Sequence, residues 1–159
     1  MNAPSLETTN RLPSAAEWET ALGESIALRP TTQPFGKDLN CDPGTQVFQH
    51  LVASQRGGMI VTSLRLSTRL LTLSLGEPQF QELLETFWKT TPPERFASDE
   101  ASNWATYLQT LSLSVPFLED VLRFELASHQ VLSEGTPQRV MFSSDPFPIL
   151  SALQLVQGG

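Results

Sequence analysis

Residues 75–93 read L-G-E-P-Q-F-Q-E-L-L-E-T-F-W-K-T-T-P-P. Gly76 suits the left-handed C-terminal cap of a helix ending at Leu75. Pro78 fits the first turn of the following helix, where its missing N–H costs nothing. Phe80, Leu83, Leu84 and Phe87 fall on one stripe at helical spacing. Pro92-Pro93 stops that helix after about Thr90, so the stretch predicts two helices joined by a tight break. The segments on either side repeat the pattern.

Upstream, Met59 to Leu75 reads as an apolar helix, and Thr45 to Arg56 as a shorter one with Val47, Phe48, Leu51 and Val52 on one side. Gly57-Gly58 is expected to separate them. Residues 30–44, with Pro30, Pro34, Gly36, Pro43 and Gly44, read as a linker. Before it, Ser14 and Glu17 have capping-box spacing; they open a helix carrying Trp18 and Leu22 that ends at Arg29-Pro30. Residues 1–13 are polar and expected to fray.

Downstream, Asp99 is expected to cap a helix over Glu100 to Leu111. Ser114 is expected to cap another, with Pro116 in its first turn, running to about Leu132. From Gln138 to Ser143, Val140 and Phe142 alternate with Arg139 and Met141, the period of a short strand. A lone strand is not stable by itself, so either it pairs with another chain or the segment is not a strand. The expected fold is mainly α: a bundle of five to six helices with a short C-terminal β-strand or extended tail. Its parts are residues 1–44 (helix and linker), 45–134 (helical domain) and 135–159 (strand and apolar tail).

Composition narrows the function. The 159 residues carry 10 Lys and Arg against 17 Asp and Glu, a net charge of −7. Nucleic-acid binding through phosphate neutralisation needs clustered cations, and no short window is rich in them. Charged residues are 17%, below the roughly 25% of ordinary soluble domains. The apolar run from Met59 is interrupted by Arg65 and Arg69 and falls short of a membrane span. No secretory signal is read at the start, and the lone Cys41 has no disulfide partner, so a cytoplasmic protein is expected.

Few residues point to chemistry. His50 and His129 lie on different helices, with no metal-ligand spacing around either. Cys41 sits in the Pro/Gly-rich segment beside Asp42, with no cation or histidine next to it in sequence to activate a thiol. The sequence holds no phosphate loop, nucleophile elbow or metal cluster, so no catalytic residue and no metal ligand is assigned. Glu125 stands apart. It falls on the apolar stripe Leu118, Val121, Leu122, Leu126, where a carboxylate must find a partner or stay protonated. Arg65 and Arg69 are the expected partners, the alternative being that Glu125 reaches water at the stripe's edge. Asp120 and Arg123 project elsewhere on the same helix, onto either a partner-binding face or a solvated one.

The stretch from Leu75 to Ala127 also resembles a known family. After L-G-E-P-Q-F-Q-E-L-L-E-T-F-W come T-P-P (Thr91 to Pro93), W-A-T-Y-L (Trp104 to Leu108) and P-F-L-E-D-V-L-R-F-E-L-A (Pro116 to Ala127). Their order and spacing resemble the N-terminal helical domain of the HvfC-like family of bacterial peptide-modification clusters, to which MbnC and TglI belong. The last element carries the likeness at Pro116, Leu118, Asp120, Arg123, Glu125 and Ala127. The likeness covers about a third of the chain, and residues 1–44 take no part in it. The small size is closer to TglI than to the longer members, with a reduced C-terminal part.

The resemblance implies a non-catalytic partner subunit. It would form a heterodimer with a TIM-barrel multinuclear-iron oxidase and help recruit a precursor (leader) peptide for cysteine modification. The iron would belong to the oxidase, with no cofactor in this chain. An extended peptide could pair along the strand expected at Arg139, Val140, Met141 and Phe142. The rival reading is a free-standing helical regulator or nucleic-acid-binding module, which the acidic balance disfavours.

Overall fold

A computed structural model describes residues 11–155. The expectations for the first ten residues and for the Gly-Gly end lie outside that range. The described residues form eight helices and no strand, so the chain is a mainly α bundle. The helices are α1 (Ala15–Ile26), α2 (Gly36–Cys41), α3 (Pro43–Ser63), α4 (Arg65–Leu75), α5 (Glu77–Thr90), α6 (Ala97–Thr110), α7 (Leu118–Glu134) and α8 (Pro146–Leu155). None is long and apolar enough to cross a membrane.

Helix α1 begins with the expected capping box. The Ser14 hydroxyl accepts from Glu17 N at 3.3 Å, and Ser14 N donates to Glu17 Oε2 at 2.6 Å. It ends earlier than Arg29, in a paired C-terminal motif: Leu28 N donates to Ser25 O and Arg29 N to Glu24 O. Leu28 occupies the left-handed position there, at φ 64°, where glycine is usual.

Three expectations need correction. The segment 30–44 is not all linker, since it holds α2. Gly57-Gly58 does not break a helix, because α3 runs through both. A methyl group at Gly57 would already be in contact with the Trp88 ring at 3.7 Å, and one at Gly58 would meet nothing. The glycines therefore sit in a helix whose tertiary packing overrides their low propensity. The break falls at Leu64 instead, fully buried at the α3–α4 junction. Finally, Asp99 and Ser114 cap nothing: α6 starts two residues before Asp99, and α7 starts at Leu118, after Phe117 in the left-handed region at φ 63°.

The core lies between α3, α4, α5, α6 and α7. Ile60, Leu64, Leu71, Phe87 and Trp104 are fully buried in it. Trp104 meets Phe87 edge-on at 5.2 Å and Phe80 edge-on at 6.2 Å. Such aromatic pairs contribute roughly 0.5–1.5 kcal/mol each beyond their burial. Around this centre α3 packs on α6 and α4 on α7, while α1 and α2 cover α3 and α8 lies on α4.

Candidate functional site

The polar residues of α7 organise the C-terminal third of the chain. Glu125 is 7% exposed. Its carboxylate accepts from Leu66 N at 2.6 Å, Ser67 N at 2.8 Å and Ser67 Oγ at 2.5 Å. These are free donors of the first turn of α4, which has no capping side chain of its own. The partner expected at Arg65 or Arg69 is therefore replaced by a helix end: Glu125 caps α4 from another helix. Arg65 is exposed, and the Arg69 guanidinium donates to Leu153 O of α8. Burial pushes the Glu125 carboxyl above its usual range, against the lowering effect of its hydrogen bonds and of nearby His129. His129 Nε2 lies 2.5 Å from Ser63 O, so the same face of α7 closes both ends of the α3–α4 junction.

One turn earlier, Asp120 and Arg123 hold the segment after α7. Asp120 Oδ2 accepts from Ser143 N at 2.9 Å and from Ser143 Oγ at 2.5 Å. These bonds, with Arg123 nearby, keep its carboxyl below the usual range. Arg123 donates to Met141 O at 2.8 Å and pairs with Glu119 at 2.6 Å. Phe142 packs toward Phe124, ring centres 6.0 Å apart. The strand expected at Arg139, Val140, Met141 and Phe142 is not formed; these residues are irregular. Alternation alone cannot make a strand when the described chain offers no second strand to complete the ladder. The apolar tail after Asp145 is helix α8.

Residues 136–142 make no backbone–backbone hydrogen bond among the described residues. Met141 and Phe142, at the end of this segment, line an open groove of about 900 Å³, whose walls also include Leu111, Val115, Phe117 and Leu122 beside Asp120 and Arg123. Phe117, strained at positive φ and 43% exposed, stands in that wall. A second groove, of about 860 Å³, runs between α4 and α7 and takes in Arg65, Arg69, Glu125 and His129.

Sequence spacing gave no sign of another ion pair. Arg56 Nε donates to Glu100 Oε1 at 2.6 Å, both side chains essentially without solvent contact. Glu100 Oε2 also accepts from Glu94 N, Arg56 donates to Pro92 O, and the guanidinium lies 5.2 Å from the Phe87 ring centre. The partners are forty-four residues apart, with no local pattern joining them. Among the described residues no three His, Cys, Asp or Glu side chains gather as a metal site.

No protein-family model, curated protein or solved structure matches this chain.

Proposed function

We propose that the protein is a non-catalytic partner subunit, binding a TIM-barrel iron-dependent oxidase and helping to present a precursor peptide for cysteine modification. Iron and the oxidation chemistry belong to the partner in this reading. The resemblance over Leu75 to Ala127 motivates it. The observation that supports it best is the segment 136–142: its backbone donors and acceptors are free of backbone pairing, and Asp120 and Arg123 tether its C-terminal end beside a groove of mixed polar and apolar lining. That arrangement suits an added peptide strand, with main-chain bonds to the segment and side chains in the groove. Val47, Phe48 and Leu51, each more than half exposed on α3, add an apolar face of the kind that protein partners cover.

Val140→Pro tests the peptide-pairing part. Proline removes the Val140 N–H, which has no partner within the described chain, and so blocks strand addition without touching an internal bond. The expected result is at least a tenfold loss of affinity for the precursor's leader peptide by calorimetry, with the melting temperature unchanged. Unaltered affinity would remove the segment from the peptide site.

A further inference from the structure

Residues of α1, α2, α3 and α5 and of the segment after α1 line a separate, open pocket of about 530 Å³. It shares no lining residue with the groove beside 136–142. Its size falls within the range of small-molecule sites.

A polar network, reaching from buried Ser25 to exposed Asn40, stands at this pocket. Ser25 is fully buried, and its hydroxyl donates to Asn40 Oδ1 at 2.5 Å. Gln49 Nε2 donates to the same Oδ1 at 2.9 Å and to Ser25 O at 2.9 Å. Two donors converging on Oδ1 fix the Asn40 amide. Its NH₂ end makes no hydrogen bond among the described residues and remains a free donor.

Apolar surface is supplied by Leu28, Ala53 and Trp88. The Trp88 side chain is 5% exposed, and its indole N–H has no hydrogen-bond partner among the described residues. Arg29 and Lys89 bring two cations, both exposed and in no ion pair among the described residues; Glu85 brings one carboxylate.

We infer that this pocket binds an organic monocarboxylate with an apolar or aromatic body, either a free acid or the C-terminus of a short peptide. The surplus of one cation suits a single negative charge on a chain that is otherwise acidic, and disfavours a dianion. Arg29, Lys89 and the Asn40 amide would hold the carboxylate, with the body against Trp88 and Leu28. The inference is independent of the partner-subunit reading.

The test is an NMR titration of the full chain with 3-phenylpropionate and with acetyl-Ala-Phe, each compared with its carboxamide. The expected result is saturable shifts of the Trp88 indole, Asn40 and Gln49 side-chain N–H signals, with the amides binding at least tenfold more weakly. Arg29→Gln combined with Lys89→Gln should weaken the acids about fivefold or more, the scale of lost exposed ion pairs. These two side chains make no internal hydrogen bond, so the variant should fold. Tighter binding of the peptide acid would assign a peptide C-terminus as the source, and tighter binding of 3-phenylpropionate a free acid. Equal binding of acid and amide, shifts confined to other residues, or no saturable shift would each overturn the inference.

Discussion

Glu125 is buried on an apolar stripe because the first turn of α4 needs what a carboxylate offers. Three donors meet it there, and α4 lacks an N-cap side chain. Removing it strands the Leu66 and Ser67 amides, so Glu125→Ala should lower unfolding free energy by about 2 kcal/mol in a urea titration. The pH dependence has a definite sign. The folded carboxyl titrates above its ordinary value of 4.5 because of burial. The folded state therefore binds this proton more readily than the unfolded one, and the associated stability is lost as pH rises through the folded value. Wild type should thus gain stability relative to Glu125→Gln when pH is lowered from 7.5 toward 4.5; a constant or opposite difference would contradict the burial argument.

Arg56 and Glu100 allow a different test at the same scale. Arg56→Met alone leaves a buried carboxylate, at a cost of roughly 3–5 kcal/mol. Adding Glu100→Leu should recover much of that loss in a double-mutant cycle, since the unpaired charge is then gone. That Glu125 would need a partner was readable from its place on the stripe. The partner's identity was not, because backbone N–H groups carry no residue label and guanidinium groups one turn apart look like the obvious answer. The Arg56–Glu100 pair was invisible for another reason: Arg56 sits just before two glycines, and the contact is made only when α3 packs on α6.

At the scale of elements, proline and capping signals located α1, α5 and the end of α4 within a few residues. Gly-Gly misled, because a low helix propensity of about 1 kcal/mol per glycine is smaller than the packing that α3 gains by continuing. Gly58→Ala accordingly should raise stability by up to about 1 kcal/mol, since nothing lies within reach of the added methyl. Gly76 behaves in the opposite way. Its φ of 84° and ψ of 157° lie in a region essentially reserved for glycine. Gly76→Ala should cost about 1–3 kcal/mol, measured by thermal or urea unfolding. The missing strand has the same lesson at its root. Alternation marks a segment able to pair, and whether it pairs depends on a second segment that a local reading does not see.

Over the whole molecule, the bundle class was legible from the helical stripes and their stops. The arrangement of surfaces was not, since it follows from contacts between distant helices. The polar residues of α7 turn out to have two jobs: Glu125 locks α4, while Asp120 and Arg123 secure the segment leading to α8. The outcome is an acidic helical body with an apolar face on α3 and an unpaired stretch of backbone beside a groove, the two features on which the proposed partner role rests. The decisive measurement is the mass and activity of this chain co-expressed with a TIM-barrel iron-dependent oxidase of the proposed partner class. The account predicts a 1:1 complex, with the precursor's cysteine modified only when both chains are present. A monomer that leaves the oxidase's turnover unchanged would contradict it.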